Sequence, residues 1–238
     1  MSTNMLLSAR RVMVIVAHPD DAEIHAGGTI ARLVRQGAVV SYVLCTSGNR
    51  GTSDPAMTSD QLAALREVEQ HTAAARLGVT DITFLRYDDG DLVYNVQPLR
   101  CQLTKLIRQQ RPEVIVTHDP FAGLTRYGAC HLHPDHRATG QAVFEAAFFC
   151  AGGPLFYPDQ IAAGVSPHQI AGLYLVMSDT ADGYIDISHT FDVKVAAIAA
   201  HDSQWGKQPD LEGFFRRMAE QAGAKWGVRL AEAFRLMR

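Results

Sequence analysis

The chain has 238 residues with a formal net charge of −3, and 47% of its residues are hydrophobic. This length and composition are typical of one globular domain, expected over residues 1–238. The charge argues against nucleic acid or an anionic membrane as a partner. No stretch approaches the roughly 20 apolar residues of a transmembrane helix, and residues 1–10 lack the apolar core of a secretory signal. The cytoplasm is therefore the expected location.

Apolar runs and helical patterns alternate along the chain. Strands are predicted where short apolar runs occur, at residues 12–17, 39–46, 82–85, 114–117, 173–177 and 184–187. Helices are predicted at residues 23–36, 59–77, 98–110 and 134–149. The alternation predicts an α/β protein with a Rossmann-like three-layer fold and a mostly parallel sheet. The core is expected over about 11–205, followed by a C-terminal helical segment over 206–238.

His18-Pro19-Asp20-Asp21 directly follows the first predicted strand. Six continuous apolar residues indicate a strand buried on both faces of a parallel sheet, and ligands of such sheets bind outside the carboxyl ends of the strands. His133-Pro134-Asp135-His136 lies far downstream, where Pro134 suits the first position of a helix. His133 then caps that helix and His136 lies in its first turn, so both imidazoles can project into one cavity.

Together the two motifs contain the side chains of a hydrolytic zinc site. Catalytic zinc usually takes three His, Asp or Glu ligands and leaves a fourth position for water, whose pKa it lowers from about 15.7 toward about 7. A carboxylate that does not bind the metal then acts as general base, and the adjacent Asp20 and Asp21 can divide these two tasks. Each motif alone is more often structural, as a capped turn or a helix start. Their combination favours a metal-dependent hydrolase.

Several other segments, considered with the two motifs, are similar to those of a known family. The first motif is followed by Glu23-Ile24 and Ala26-Gly27-Gly28-Thr29-Ile30, and the intervening chain contains Thr46-Ser47-Gly48, Leu65-Arg66-Glu67 and Tyr87-Asp88-Asp89-Gly90. With these segments the chain resembles the PIG-L/LmbE-like zinc-dependent N-acetylglucosaminyl de-N-acetylases. The resemblance runs from about residue 12 to residue 140, and weakly again from 194 to 204. The two motifs are specific as a pair, whereas the other segments only support them.

The resemblance implies a ligand set and a reaction. The zinc ligands would be His18, Asp21 and His136, with one divalent metal per chain and iron as an alternative to zinc. Asp20 would be the general base that acts on the attacking water. The implied reaction removes an N-acetyl, or similar N-acyl, group from a glucosamine-containing small molecule, which makes the protein a metal-dependent amidohydrolase.

The resemblance also implies supporting roles for four other residues. His133 would stabilise the oxyanion or protonate the leaving amine, acting in its protonated form, and Asp135 would orient an imidazole. Arg66 and Asp89 would contact sugar hydroxyls. One basic and one acidic group that act at the same pH predict a bell-shaped pH dependence of kcat/KM.

His131 departs from the family pattern, because close sugar-conjugate members often carry tyrosine at this position. The stretch 131–136 also fits the HxHxDH pattern of binuclear metallo-β-lactamase-fold hydrolases, with His189 and Asp186 as further ligands. That alternative leaves the first motif unexplained and expects a β-rich sandwich. A non-catalytic sugar-binding relative is the other alternative, and the presence of Asp20 beside a full ligand set argues against it.

Several further residues have open roles. His118 ends the fourth strand on the same sheet edge as the first motif, and His201 lies where family members often carry a polar cluster. Gly27 and Gly28 are poor helix formers and predict a close approach of their helix to the metal loop. The four cysteines have no paired spacing and are expected as free thiols, namely Cys45, Cys101, Cys130 and Cys150.

Two irregular segments are predicted as loops. Residues 50–59 are expected at the substrate mouth. Residues 151–168 interrupt the strand–helix alternation, and such loops are often lids or subunit contacts. Phe156 and Tyr157 within that segment favour an interface, so a homo-oligomer is expected.

Overall fold

The computed structural model describes residues 4–122 and 133–238 as alternating strands and helices. The strands are β1 (Arg11–Val16), β2 (Val39–Thr46), β3 (Asp81–Tyr87), β4 (Val114–His118), β5 (Gly172–Val176), β6 (Gly183–Asp186) and β7 (Ala231–Met237). The helices are α1 (Asn4–Ser8), α2 (Asp21–Arg35), α3 (Ser59–Leu77), α4 (Val96–Gln110), α5 (Pro134–Glu145), α6 (Pro158–Ala162), α7 (Phe191–Ile198), α8 (Asp202–Trp205) and α9 (Leu211–Ala224). A 3₁₀ turn covers Leu92–Tyr94, and a π-helical turn covers Ala146–Cys150.

The strands of the described residues form one sheet in the order β3-β2-β1-β4-β5-β7-β6. The pairs from β3 to β5 are parallel, and β7 runs antiparallel to both of its neighbours. The prediction of an α/β fold with a mostly parallel sheet is therefore confirmed. The strand order reverses between β1 and β4, where Val12 lies beside Val114. In doubly wound sheets such a reversal opens a crevice for ligands at the carboxyl ends of the strands.

Helices cover both faces of the sheet, which explains the unbroken apolar sequence of β1. Val12, Val14 and Val16 pack into the core that lies under α2, α3 and α7. Met13 and Ile15 point to the opposite face and pack into the core under α4 and α5. A strand buried on both faces has no polar side to show in its sequence.

α3 begins and ends where its sequence predicts. The Thr58 hydroxyl accepts the Gln61 amide, while the Gln61 side chain accepts the Thr58 amide, which forms a capping box. Gly78 ends the helix in the left-handed conformation, with φ of 83°. Over residues 4–122 and 133–238, no helix is both long enough and apolar enough to cross a bilayer.

Three predictions about secondary structure are wrong. The helix predicted over 134–149 is α-helical only to Glu145 and then continues as the π-helical turn. The segment 206–238 is helical only in part, because α9 ends at Ala224 and residues 231–237 form β7. The segment 151–168, predicted as a loop, contains α6.

Gly27 and Gly28 allow a close approach, although not to the metal loop as predicted. A Cβ atom at Gly28 would lie 2.7 Å from Ile187 Cβ, and one at Gly27 would lie 3.2 Å from Lys194 Cγ. The glycines therefore let α2 pack against α7 and the residue that follows β6.

Candidate metal centre and active site

The two sequence motifs meet at the point where the strand order reverses. His18 and Asp20 lie in the short loop after β1, and Asp21 is the first residue of α2. His133 is the N-cap residue of α5, so His136 lies in the first turn of that helix. The carboxyl end of a buried strand and the amino ends of two helices thus converge on one site.

His18, Asp21 and His136 form the candidate metal cluster. His18 Nδ1 lies 3.2 Å from His136 Nε2 and 3.4 Å from Asp21 Oδ2, and His136 Nε2 lies 3.2 Å from Asp21 Oδ1. Zinc bonds of about 2.0–2.1 Å in tetrahedral geometry require ligand atoms about 3.3 Å apart. The three side chains already have this spacing, and three His or Asp ligands leave one position open, as in catalytic zinc sites.

The second ring nitrogen of His18 is held by two carboxylates. His18 Nε2 lies 3.0 Å from Asp89 Oδ1 and 3.3 Å from Asp135 Oδ2. Asp135 is fully buried and also accepts the backbone amides of Gly90 and Leu92. These contacts orient His18 so that Nδ1 faces the cluster, which is how histidine ligands of metals are usually held. The geometry fits the orienting role predicted for Asp135.

The electrostatics of the cluster favour positive charge. Burial lowers the pKa of His18, but the hydrogen bonds that it donates to carboxylates, chiefly Asp135, outweigh it and hold that pKa well above its usual value. Burial raises the pKa of Asp21, but the charge of His136 and hydrogen bonds from His118 and His136 outweigh it and hold that pKa well below its usual value. A divalent cation bound by the cluster would balance the negative charge of the Asp21 and Asp135 carboxylates.

Asp20 stands apart from the cluster and has the surroundings of a base. Its φ of 103° lies in the left-handed region, which is rare for a non-glycine residue and recurs at functional sites. Asp20 Oδ2 accepts the Trp205 indole N–H at 3.0 Å, and Oδ1 lies 3.4 Å from the Arg66 guanidinium. Burial raises the pKa of the Asp20 carboxyl, although Arg66 opposes the shift. A raised carboxyl pKa suits proton transfer near neutral pH.

His133 lies at the rim of the cluster and is more exposed than its neighbours. Its Nδ1 accepts the Asp135 backbone amide at 3.3 Å, which assigns the ring proton to Nε2. Burial and the charges of His18 and His136 lower the pKa of His133. The sequence prediction used a protonated His133, whereas these surroundings favour a neutral imidazole with one N–H donor.

Two further histidines pack against the cluster. His118, whose role was open, stacks on His136 with ring centroids 4.2 Å apart, and its Nε2 lies 3.2 Å from Asp21 Oδ2. Burial lowers the pKa of His118 to about 4, so this imidazole is neutral at physiological pH. His25 Nε2 lies 3.9 Å from Asp21 Oδ1. His118 and His25 therefore flank the carboxylate ligand on both sides.

Arg66 and Asp89 line the cavity but make contacts within the protein. Arg66 Nη1 donates to the Gly48 carbonyl at 3.0 Å, and Nη2 donates to the Pro19 carbonyl at 2.5 Å. Burial raises the pKa of Asp89, but the hydrogen bond to His18 outweighs it and lowers that pKa to about 2. Both side chains hold the loops of the site, and their contact with sugar hydroxyls stays a prediction.

Sequence reasoning missed His25, Trp205 and Gln70. His25 follows Asp21 by four residues on α2, and this spacing along one helix face could have found it. Trp205 lies in the four-residue α8 and Gln70 in the middle of α3, where neither belongs to a local motif. His201, whose role was open, is buried with its Nε2 3.3 Å from Glu23 Oε2.

The binuclear alternative finds no support. His189 and Asp186 interact through their backbone carbonyls with Arg35 and Arg32, near the end of α2 that is remote from the metal cluster. The parallel sheet with helices on both faces also differs from a β-rich sandwich. His131 and Cys130 lie outside the described residues. The other cysteines are free, as predicted, namely Cys45, Cys101 and Cys150.

A cavity of about 680 Å³ opens on the cluster. Its lining includes Asp20, the three cluster residues and Gly51, which lies in the loop before α3. Trp205 and residues of α9 line it as well. The cavity therefore gives a small molecule access to both the candidate metal ligands and the candidate base.

Known proteins share these features. Residues 13–147, more than half of the chain, match the family model described as PIG-L: GlcNAc-PI de-N-acetylase. A diacetylchitobiose deacetylase from Thermococcus kodakarensis is 35% identical over 96% of this chain and 83% of its own length. A 1D-myo-inositol 2-acetamido-2-deoxy-alpha-D-glucopyranoside deacetylase from Mycobacteroides abscessus is 32% identical over 83% of this chain and 82% of its own length.

A solved structure agrees with the sequence matches. The N,N'-diacetylchitobiose deacetylase from Pyrococcus horikoshii, in complex with an inhibitor, superposes with a TM-score of 0.90 and is 34% identical. The match covers 100% of this chain and 87% of that one. Since the family model covers both candidate metal-site motifs and relatives more than 30% identical align over more than four fifths of their length, the chain belongs to the PIG-L, or GlcNAc-PI de-N-acetylase, family.

Proposed function

We propose that the protein is a zinc-dependent hydrolase that removes an N-acetyl group from a glucosamine-containing small molecule. The observation that carries the proposal is the three-residue cluster with tetrahedral ligand spacing beside Asp20, a buried carboxylate outside that cluster. A sugar-binding protein without catalytic activity would need no base at this position. The two curated relatives are named as deacetylases, and the names of both contain acetylated sugars.

His18, Asp21 and His136 would hold one metal ion per chain. When bound, such an ion polarises the acyl carbonyl and lowers the pKa of water. Zinc is favoured over ferrous iron by the affinity order of divalent metals for nitrogen and oxygen ligands, although availability decides occupancy. Asp135 and Asp89 keep His18 in the ligating orientation.

The remaining chemistry belongs to side chains around the cluster. Asp20 accepts a proton from the attacking water and returns it to the departing amine. The Nε2–H of His133 donates a hydrogen bond to the oxygen on which negative charge develops, and this requires no net charge on the imidazole. Since Asp20 must be ionised to act, kcat/KM falls at low pH as its carboxyl gains a proton. The opposite limb of a bell-shaped profile stays a prediction.

Metal content and acetate release test these roles separately. Elemental analysis should find about one metal ion per chain in the wild type and almost none in Asp21→Ala. Asp20→Asn should keep its metal but lose acetate release from N-acetylglucosamine conjugates by about 10²-fold or more. Loss of metal in Asp20→Asn would make Asp20 a ligand, and absence of metal from the zinc-reloaded wild type would refute the proposal.

We also propose that the chain self-associates through the surface around residues 149–156. Leu155 is 90% exposed, and Phe149 and Phe156 are about half exposed, so this surface presents large apolar side chains to solvent. Analytical ultracentrifugation should find an oligomer in the wild type and a smaller species in Leu155→Asp. A wild type that sediments as a monomer at all concentrations would refute this proposal.

A further inference from the structure

The cavity continues beyond the metal cluster into an apolar region that we call the arm. The arm is lined by Trp205, Phe214, Phe215, Met218, Ala222 and Trp226. Phe215, Met218 and Ala222 lie on one face of α9, because their spacing of three and four residues matches the helical repeat. At about 680 Å³ the whole cavity is in the range that accepts a drug-sized ligand. A single acetamido sugar would leave the arm empty.

Aromatic contacts hold the walls of the arm in place. Trp205 and Phe214 each pack against Phe215, with ring centroids 5.1 Å apart in both pairs. Trp226, which also lines the arm, stacks on Tyr184 at 5.1 Å between ring centroids. Because these side chains are fixed by their neighbours, the arm is a preformed apolar site.

The two sides of the cavity differ in chemistry. Asp89 lies against His18 with His133 3.7 Å away, whereas Trp205, at the start of the arm, donates to Asp20. In an amide, the nitrogen with its sugar and the acyl chain leave the carbonyl carbon in different directions. Sugar hydroxyls require hydrogen-bonding partners, for which Asp89 and His133 are the candidates in the cavity lining. The acyl chain of a bound substrate then points toward Trp205 and into the arm.

We propose that the arm binds the acyl chain of the substrate and that the enzyme hydrolyses N-acyl glucosamines with chains longer than acetyl. This inference rests on the proposed deacetylase function and extends its substrate class. Water breaks the amide C–N bond, so its hydroxyl joins the acyl carbon and its proton joins the amine. The products are a medium-chain carboxylic acid and a free amino sugar.

A chain-length series on the zinc-loaded enzyme tests the inference. Amine release would be measured for N-acetyl, N-butanoyl, N-hexanoyl and N-octanoyl glucosamine. Each methylene that enters an apolar site contributes enough binding energy to raise kcat/KM about fourfold. A parallel series uses octyl, hexyl and methyl glycosides of N-acetylglucosamine. It reports whether the arm instead binds the aglycone, which is the alkyl group on the anomeric carbon.

Two alanine-to-phenylalanine substitutions on α9 test whether the chain-length preference depends on the arm. Ala222→Phe places an aromatic ring in the arm and should reduce the ratio of kcat/KM for octanoyl over acetyl substrates about tenfold or more. Ala224→Phe is the matched control, because Ala224 is exposed on the same helix and does not line the cavity. It should keep the wild-type ratio.

Ligand binding gives a readout that does not depend on turnover. The chain has two tryptophans, Trp205 and Trp226, and both line the arm. Octanoate added to the zinc-loaded wild type should change tryptophan fluorescence in a saturable way, whereas acetate at the same concentration should not.

The outcomes separate the two proposals. A flat or falling acyl series, together with turnover of the acetyl substrate, overturns the inference and leaves the proposed function intact. A rise confined to the alkyl glycosides also overturns it, because the arm then binds the aglycone. If no substrate is hydrolysed, the proposed function fails, and saturable octanoate binding still decides whether the arm takes an acyl chain.

Discussion

Asp20 adopts a backbone conformation that costs a non-glycine residue on the order of 1–3 kcal/mol. The neighbouring side chains compensate for this strain. The Asp20 amide donates to Gln70 Oε1 at 3.1 Å, and Gln70 Nε2 in turn donates to Glu23 Oε1 at 3.0 Å. The series of buried contacts ends at His201, whose Nε2 lies 3.3 Å from the other carboxylate oxygen of Glu23, Oε2. The strained loop is therefore held by fixed partners, which keep the carboxylate beside the candidate metal cluster and outside its ligand set.

Trp205 should orient the Asp20 carboxylate during catalysis. Trp205→Phe keeps an aromatic ring but removes the N–H that donates to Asp20 Oδ2. Because a hydrogen bond to a charged group contributes about 1.5–3 kcal/mol, kcat should fall about tenfold or more. Metal content should stay at the wild-type level. In an Asp20→Asn background the same change should add little further loss, and equal losses in both backgrounds would contradict the orienting role.

Cys45 should be chemically inert in the folded protein. Burial raises the pKa of its thiol from 9.0 to about 12. Since only the thiolate reacts with alkylating reagents, its reactive fraction at pH 8.5 is lower by about a thousandfold than in the unfolded chain. Mass spectrometry after iodoacetamide treatment should find Cys45 unmodified in native protein and modified in urea, with the partly exposed Cys101 as internal comparison. Equal rates in both states would contradict this prediction.

At the scale of elements, one buried ion pair joins α2, α7 and β7. Lys194 Nζ of α7 lies 2.5 Å from Glu232 Oε1 of β7 and also donates to the Ile24 carbonyl of α2. The Glu232 carboxylate accepts the α2 backbone amides of Gly28 and Thr29 at 3.0 and 2.8 Å. The pair thus holds α2 against β7. α2 carries Asp21, and residues of β7 line the cavity.

Breaking this pair should destabilise the fold. Glu232→Leu and Lys194→Met each leave a buried charge without a partner, which costs about 3–5 kcal/mol. The double variant should lose much less than the sum of the two, because it leaves neither charge uncompensated. Urea denaturation measures all three free energies of unfolding. Arg217→Ala is the control, since its ion pair with Asp210 is exposed and should contribute less than about 1 kcal/mol. Additive losses would show that the two charges are not coupled.

Elements with local signals were predicted well, and elements defined by distant contacts were not. The limits of α3 follow from Thr58 and Gly78, and β2, which is apolar except for Ser41 and Thr46, lies at the predicted positions. In contrast, β7 has the sequence AEAFRLM, which suits a helix as well as a strand. Its strand conformation comes from pairing with β5 and β6, and such tertiary pairing overrides local propensity.

At the scale of the whole molecule, the site depends on residues that are far apart in sequence. The reversal between β1 and β4 places His18 and His118 at neighbouring strand ends, and α5 brings His136 to both of them. The sequence predicted this edge because both strands end in polar residues at a position where parallel sheets bind ligands. It could not predict Trp205 or the arm, because their positions depend on how α8 and α9 pack across the finished sheet.

A metal ion held by the cluster should stabilise the entire fold, since its ligands join the loop after β1 to α2 and α5. Ligand binding to the native state adds about 2.7 kcal/mol when free zinc is present at a hundredfold excess over its dissociation constant. For a chain of this size that corresponds to a rise in Tm of about 5–10 °C. Differential scanning calorimetry of zinc-loaded and chelator-treated protein measures the difference. Asp21→Ala should show no zinc-dependent rise, and an equal rise in that variant would place the stabilising metal elsewhere.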